Sequence, residues 1–223
     1  MSLTLPLTLH YHPLSSCCWK TLIALYELDV AFEPRLVNLG DPAERAAYAA
    51  LWPTAKIPLL QDGAHVVPET SLQIEYLDRG HGRLLPAATQ FDVRLWDRVF
   101  DQYVMDPMQR FTAQQRRPEG QRDAPTEEAC RATLTMAYDL IESRLPSGTW
   151  AVGDIFTMAD CAAAPSLFYA TTFHPIPASH ERLAAYFERL MARPSVRRVI
   201  REARPVFQYY PLRDKLPARF LED

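Results

Sequence analysis

The kind of periodicity along the chain changes near residue 90, and this change most constrains the fold. Before it, short apolar runs that end at turn residues alternate with segments of helical spacing. Asp62-Gly63 lies between two such runs and is a strong signal for a β-hairpin. From Phe91 onward the periodic segments have helical spacing. The sequence therefore predicts a mixed α/β unit followed by an all-helical unit.

The expected elements follow this division. Strands are predicted at 5–11, 31–36, 57–61 and 65–67, with helices at about 15–26, 42–51 and 69–78 between and after them. Helices are then predicted at 91–115, 126–145, 157–172, 180–191 and 195–203. We expect domains at 1–84 and 91–223, joined by a linker at 86–90.

Composition narrows the possible partners and cellular location. The 223 residues carry a net charge of −3, with 48% hydrophobic residues, so nothing in the bulk charge attracts nucleic acid or an anionic membrane. The basic pairs at 116–117 and 197–198 are interpreted as solvated helix faces. Cysteines at 17, 18, 130 and 161 match no zinc spacing, so no metal is expected. With no signal peptide and no apolar run of about 20 residues, a cytoplasmic protein with reduced thiols is predicted.

Ser15, Ser16 and Cys17 come at the predicted start of the first helix. Free N–H groups and the helix dipole stabilise an anion there, and a thiolate forms more readily at such a position. A serine at a helix start often serves only as a cap, so a structural role is the alternative. Cys17 is expected to be reactive, with a lowered pKa, unless it is buried and inert.

Four segments, taken together, resemble one known family. They are HPLSSCCWKTLIAL (12–25), LWPTAKIPLL (51–60), PETSLQIEYLDR (68–79) and GDIFTMAD (153–160). In this order and near this spacing they resemble the cytosolic glutathione transferases, particularly the serine-class and zeta-like bacterial glutathione S-transferases. Trp52, Ala55 and Thr70 depart from the usual Asn, Gly and Ser of the family.

The resemblance implies an N-terminal thioredoxin-like domain with a mixed four-stranded sheet and a C-terminal helical bundle domain. It implies glutathione as co-substrate, a small electrophile as second substrate, and a homodimer. Ser15 is the expected catalytic residue that activates the glutathione thiol, and Cys17 and Ser16 are its rivals. Cys17 in particular could form a mixed disulfide with glutathione.

The same resemblance assigns glutathione-binding roles to Lys56, Ile57, Pro58, Glu69 and Thr70. A cis Ile57–Pro58 bond would leave the Ile57 backbone free to pair with the cysteinyl part of glutathione. Glu69 and Thr70 would hold the γ-glutamyl end at a helix N-terminus, and Lys56 the glycyl carboxylate. An ordinary strand start, a capped helix and an exposed lysine are the structural alternatives.

Four residues of the helical part are candidates for a second-substrate pocket. These are Tyr103, Met105, Phe111 and Phe207, although aromatic and Met residues at helical spacing more often belong to a core. Asp97 and Asp101 are expected to be neutralised by Arg94 and Arg98. Thr157 and Asp160 are predicted to form a structural helix cap of the capping-box type.

The predicted function is glutathione S-transferase activity, with attack of the activated thiol on a small apolar electrophile. Three alternatives remain: a glutathione-dependent isomerase, a thiol-disulfide (deglutathionylating) enzyme that uses Cys17, and a non-catalytic glutathione-binding scaffold.

Overall fold

The computed structural model describes residues 6–145 and 148–222, and up to residue 77 it contains both strands and helices. The strands are β1 (Leu7–Tyr11), β2 (Phe32–Leu36), β3 (Leu59–Asp62) and β4 (His65–Val67). The helices are α1 (Ser16–Leu28), α2 (Pro42–Leu51), α3 (Thr70–Leu77), α4 (Gln90–Val99), α5 (Asp106–Gln115), α6 (Ala124–Arg144), α7 (Met158–Ala170), α8 (Glu181–Ala192) and α9 (Pro194–Ala203). A π-helical segment (Phe100–Met105) joins α4 to α5, and short 3-10 helices lie at Glu119–Gln121, Arg204–Tyr209, Arg213–Lys215 and Ala218–Phe220. Leu5, where the first strand was expected to begin, lies outside the described residues.

The four strands form one mixed sheet in the order β2-β1-β3-β4. β1 is parallel to β2 and antiparallel to β3, which is antiparallel to β4. Pro34 lies in β2, an edge strand, where its missing N–H costs no hydrogen bond to an outer neighbour. The sheet with its flanking helices, followed by the helical domain, confirms the predicted fold class. The domain boundaries at 84 and 91 stay a prediction.

Neighbouring side chains of β3 point to opposite faces of the sheet. Leu60 belongs to the large core that includes residues of α1 and α3. Leu59 belongs to a smaller cluster on the other side, with Val37 and Tyr48 of α2. This alternation follows from the two-residue repeat of a strand. The sheet is therefore covered on both faces, and its loops carry the polar groups at its edges.

The large core continues from the sheet into the helical domain. Trp19 of α1 is fully buried, and its ring lies 4.8 Å from Phe168 and 5.1 Å from Tyr169 of α7, measured between ring centroids. Its indole Nε1 donates to the carbonyl of Pro13 at 2.6 Å. One side chain thus links the turn before α1, the helix itself and the helical domain.

The predicted single helix at 91–115 is interrupted by the π-helical segment. Pro107 follows it at the start of α5. A proline within a helix cannot donate to the carbonyl four residues earlier, here that of Tyr103, and its ring crowds that carbonyl. The wider π turn accommodates this position, so the chain stays helical from α4 to α5 without keeping the α repeat.

A buried cation lies between α1 and the π-helical segment. The Lys20 ammonium is 1% exposed and lies 2.6 Å from Asp97 and 2.7 Å from Asp101, with Ser71 at 3.0 Å. Burial acts to lower the pKa of Lys20, but Asp101 and Asp97 outweigh it and raise that pKa. The expectation that Arg94 and Arg98 neutralise the two carboxylates was therefore incomplete. Arg98 contacts Asp97 only from the outside, at 3.4 Å, whereas Arg94 binds Glu75 on α3.

No helix in the described ranges, 6–145 and 148–222, is long and apolar enough to cross a membrane.

Candidate functional site

The N-terminus of α1 opens beside the sheet because the chain turns sharply at His12 and Pro13. The Ser15 amide donates to the His12 carbonyl at 3.0 Å, and Ser15 itself has extended backbone angles, as an N-cap residue does. Its Oγ accepts from the Cys18 amide at 3.4 Å. In the described part of the chain, the amides of Ser16 and Cys17 make no backbone hydrogen bond. The helix therefore presents two free N–H groups and its positive end, a place suited to an anion.

The three candidate residues at this helix end meet different surroundings. Ser15 and Ser16 both line a cavity, but Ser16 is 7% exposed and its Oγ accepts from the Gln109 amide at 3.2 Å. The Cys17 Sγ accepts from the same Gln109 amide at 3.0 Å. Burial raises the pKa of the Cys17 thiol, although the Gln109 hydrogen bond acts to lower it. The expectation of a lowered pKa at Cys17 was therefore wrong.

The loop before β3 brings a backbone edge to the same place. The Ile57–Pro58 peptide bond is cis, and Ile57 lines the cavity. Within the described residues, neither backbone polar group of Ile57 bonds to another backbone group. The Tyr48 hydroxyl donates to the Lys56 carbonyl at 2.8 Å, which holds the loop, while the Lys56 side chain is exposed. Ala55 has φ +49°, a conformation that favours glycine and accounts for the usual glycine of the family.

Glu69 and Thr70 begin α3. Glu69 has φ +63°, which is unusual for a residue with a side chain and marks a locally strained backbone. Its carboxylate is exposed and close enough to Cys17 for its charge to contribute to the raised pKa of that thiol. The Thr70 amide is one of the first N–H groups of α3. A carboxylate acceptor and helix N–H donors therefore lie on the Cys17 side of the site.

Gln73 connects α3 with α1, with the loop before β3 and with the end of β4 through hydrogen bonds. It was not identified from the sequence. Its side chain is fully buried; its amide donates to the carbonyls of Pro58 at 3.0 Å and Val67 at 2.9 Å. Its Oε1 accepts from the Thr21 hydroxyl of α1 at 2.7 Å. The only sequence signal was a polar residue on the apolar side of a short helix.

A cavity of about 470 Å³ lies between the two domains and includes the N-terminus of α1. The sheet domain contributes the helix start, the loop after β2 and Ile57, and the helical domain contributes α5 and two tyrosines. The lining residues are His12, Leu14, Ser15, Ser16, Val37, Asn38, Leu39, Gly40, Ile57, Met108, Gln109, Thr112, Ala113, Arg116, Tyr169 and Tyr210. The cavity size suits a small organic molecule next to the α1 terminus.

The four residues weighed for a second-substrate pocket lie elsewhere. Phe111 is 2% exposed and stacks on Phe173, with 3.8 Å between ring centroids. Phe207 is packed against Trp19 and Phe168, Met105 is buried, and Tyr103 is 40% exposed. None of the four lines this cavity. Met105, Phe111 and Phe207 belong to the core and Tyr103 is exposed, whereas the cavity wall is the neighbouring stripe of α5.

The described residues of 6–145 and 148–222 contain no group of three or more His, Cys, Asp or Glu side chains arranged to hold a metal ion. What the site offers is an anion position at α1, an exposed backbone edge at Ile57, and a cavity that opens beside both. Such a site can take an extended peptide-like ligand with an anionic group at α1, and the cavity leaves room for a small molecule against α5.

Comparison with known proteins matches two domains of one family to this chain. Residues 9–84 match the glutathione S-transferase N-terminal domain, and residues 99–194 match the C-terminal domain. A glutathione S-transferase-like protein from a Fusarium species is 31% identical over 163 residues, 70% of this chain and 71% of that relative. A probable maleylacetoacetate isomerase from Drosophila melanogaster is 25% identical over 170 residues, 72% of each chain.

A solved structure agrees in the arrangement of both domains. The glutathione S-transferase of Methylobacterium radiotolerans, determined in complex with glutathione sulfonate, aligns with a TM-score of 0.75 and 27% identity. The alignment covers 86% of this chain and 93% of that one. With both domain matches and the relative that is 31% identical, these findings show that the chain belongs to the glutathione S-transferase family.

Proposed function

We propose that the protein catalyses attack of the glutathione thiolate on a small electrophile, with Ser15 as the catalytic residue. The main support for this proposal is that Ser15 lies at the open N-terminus of α1 and on the wall of the cavity. Its oxygen accepts a long hydrogen bond from the Cys18 amide, and a serine hydroxyl that accepts can also donate to a sulfur anion. Glutathione as the thiol is supported by family membership and by the ligand of the Methylobacterium structure.

Glutathione would bind along the sheet domain. Its cysteinyl backbone would pair with Ile57 beside Pro58, as an added strand does. Its γ-glutamyl carboxylate would accept from the amide and hydroxyl of Thr70, and its ammonium group would meet the exposed Glu69 carboxylate. Lys56 would contact the glycyl carboxylate. These contacts would point the sulfur at the N-terminus of α1.

The chemistry required of the protein is modest. The free N–H groups of α1 and the Ser15 hydroxyl favour the thiolate over the thiol, which lowers the pKa of the bound glutathione. The cavity then holds the electrophile beside the sulfur, so that two reactants meet in a fixed geometry. A carbon–sulfur bond forms as the leaving group departs with its electron pair, or as the electron pair of a double bond shifts.

Substitution of the serine tests the assignment. Ser15→Ala should lower kcat/KM for glutathione conjugation about 100-fold, since loss of one oxyanion-type donor has an effect of this order. Its pH–rate profile should move to higher pH, because the bound thiol loses a donor that favours its anion. Calorimetry should find glutathione binding retained.

Ser16→Ala is the matched control, because the Ser16 oxygen is already bonded to Gln109. It should change kcat/KM by less than about threefold. Unchanged turnover in Ser15→Ala, with loss in Ser16→Ala or Cys17→Ser, would move the catalytic role to that residue.

An isomerase is the second candidate, favoured by the similarity to the probable maleylacetoacetate isomerase. The same thiolate would add to a double bond and leave again, so glutathione would not be consumed. Turnover of maleylacetoacetate at constant glutathione concentration, with no conjugation of any electrophile, would select this candidate. A deglutathionylating role for Cys17 has less support, because burial raises the pKa of that thiol. A scaffold role predicts no turnover.

A homodimer, a serine-class or zeta-like subclass and a cytoplasmic location remain proposals from the resemblance. The exposed apolar side chains of Leu72 on α3 and of Phe91 and Leu95 on α4 are compatible with a dimer contact. Sedimentation velocity at micromolar concentration checks the oligomeric state.

A further inference from the structure

One face of α5 forms the wall of the cavity in the helical domain. The residues on this face are Met108, Gln109, Thr112, Ala113 and Arg116. They recur three, four and seven positions apart, so they share one stripe of the helix. Gln109 contacts Ser16 and Cys17 at the N-terminus of α1, where the glutathione sulfur is proposed to bind. We call this end of the stripe the sulfur end. Arg116 lies two turns farther on, about 10 Å along the axis.

Among the described residues, Arg116 is the only formal charge on the cavity wall. The lining residues include no Asp, Glu or Lys. Burial lowers the pKa of the one lining histidine, His12, and the Arg116 charge lowers it further, so this ring is neutral at pH 7. The wall between the sulfur end and Arg116 is largely apolar, with Leu14, Met108 and Ala113.

The Arg116 guanidinium has no partner in the described residues. The side chain is exposed, and in the described residues no ion pair or hydrogen bond of the guanidinium is found. Some other arginines of the helical domain are paired, for example Arg193 with Glu27 and Arg219 with Glu188. A charge at the C-terminal end of α5 also suits the helix dipole, but neighbouring Arg117 would serve that purpose equally. Only Arg116 of the two faces the cavity.

The side chain of Arg116 can reach toward the sulfur end. Helical side chains lean toward the N-terminus of their helix, here toward Gln109. The planar guanidinium matches a carboxylate with two parallel hydrogen bonds, and such charge-assisted bonds are stronger than neutral ones. A substrate with an electrophilic carbon at one end and a carboxylate at the other would therefore span the stripe.

We infer that Arg116 selects electrophiles that carry a carboxylate, bound at the end of the cavity away from the glutathione sulfur. The inference rests on the proposed glutathione transfer and names the substrate class for it. It also changes the expected second substrate from an apolar molecule to an amphipathic anion. Arg116 binds and orients the substrate and takes no part in bond making.

A matched pair of aryl chlorides tests this. The first is a chloronitrobenzoate with its carboxylate para to the chloride, and the second is the carboxamide of the same ring. In both, the thiolate forms the carbon–sulfur bond and chloride leaves with the bonding pair. Wild-type protein should prefer the carboxylate by about tenfold or more in kcat/KM, after correction for the uncatalysed rates. Arg116→Gln should bring this ratio to about one, mainly through KM, and Arg116→Lys should restore part of it.

Arg117→Gln is the matched control, because it removes the same charge one residue away and outside the cavity. It should keep the wild-type ratio. A wild-type ratio near one, or equal losses in Arg116→Gln and Arg117→Gln, would overturn the inference while leaving glutathione transfer intact. If wild-type protein conjugates neither ring, the proposed function fails, and the inference fails with it.

Discussion

Ser15 and Cys17 are two residues apart at one helix end, yet their surroundings differ in kind. Ser15 lines the cavity, and its oxygen accepts a long hydrogen bond from the Cys18 amide. Cys17 points toward α5, where Gln109 covers its sulfur. The positive end of the helix favours an anion at either position, but burial opposes it at Cys17. Desolvation outweighs the helix end there, which leaves Ser15 as the better partner for an external thiolate.

The raised pKa of Cys17 predicts slow alkylation at neutral pH. A thiol with a pKa above its ordinary value holds less thiolate at pH 7, and only the thiolate reacts. The rate of modification by iodoacetamide should therefore rise about tenfold per pH unit between about pH 7 and pH 9, without a plateau. Peptide mass spectrometry after timed quenching measures it.

Cys17→Ser identifies the labelled residue, because the other thiols, Cys18, Cys130 and Cys161, are buried. Gln109→Ala should slow the reaction further, since the Gln109 hydrogen bond acts to lower the pKa of Cys17. A plateau below pH 7 would contradict the prediction and return Cys17 to consideration as the reactive group.

Site residues whose position depends on the local backbone could be predicted from the sequence. The Ser15 cap follows from a turn and a helix start that are adjacent in the chain, and a strained residue at Glu69 lies where a strand meets a helix. Gln109 and Arg116 were not identifiable in this way. Gln109 meets Ser16 across 93 positions of sequence, and nothing local says which face of α5 turns toward the cavity.

At the scale of elements, α7 shows how one cap organises a buried helix. Asp160 is fully buried, and its carboxylate accepts from the Thr157 amide at 2.8 Å and from the Ala151 amide at 2.9 Å. The Tyr186 hydroxyl of α8 donates to it at 2.6 Å. The predicted capping box is present, but the carboxylate also joins the preceding loop and the next helix. These added partners come from tertiary packing.

Asp160→Asn should lower the free energy of unfolding by about 2–4 kcal/mol. Asparagine has nearly the same size as aspartate, but its NH₂ group replaces an oxygen that accepts hydrogen bonds in the wild-type protein. This NH₂ group would then lie against other donors. Urea unfolding followed by circular dichroism measures the loss. The kcat per folded molecule should change by less than about twofold, because Asp160 does not line the cavity.

Asp154→Asn is the control, since Asp154 is exposed and accepts from Thr149 in the same loop. Its effect should stay below about 1 kcal/mol. Equal effects of the two substitutions, or a loss of kcat without a loss of stability in Asp160→Asn, would show that the cap is not the role of Asp160.

Strands and helices were predictable where apolar residues recur at a regular spacing within one segment. The strands of the hairpin and the helices of the helical domain were predicted in this way. The π-helical segment did not, although Pro107 carried a signal that the helix at 91–115 could not be regular. The apolar spacing continued through the segment and hid the change of helical type.

At the scale of the molecule, the two domains share one core and one buried charge cluster. The core runs from the sheet through α1 into α7. Lys20 joins Asp97 and Asp101 across the same boundary. Lys20 and the two carboxylates are about 80 positions apart, so no local sequence pattern predicts that they pair. For this reason nearby arginines were the expected partners of Asp97 and Asp101. A shared core of this kind predicts that the domains unfold together.

Removing the buried cation tests this coupling. Lys20→Met would leave the buried Asp97 and the partly buried Asp101 carboxylates without their partner and should lower the free energy of unfolding by about 3–5 kcal/mol. Adding Asp97→Asn and Asp101→Asn should restore most of the loss, because the uncompensated charges are then gone. Lys215→Met is the matched control at an exposed lysine and should have little effect. Urea curves from tryptophan fluorescence and circular dichroism should coincide in every variant. Separate transitions, or a loss below about 1 kcal/mol in Lys20→Met, would mean that the cluster does not hold the domains together.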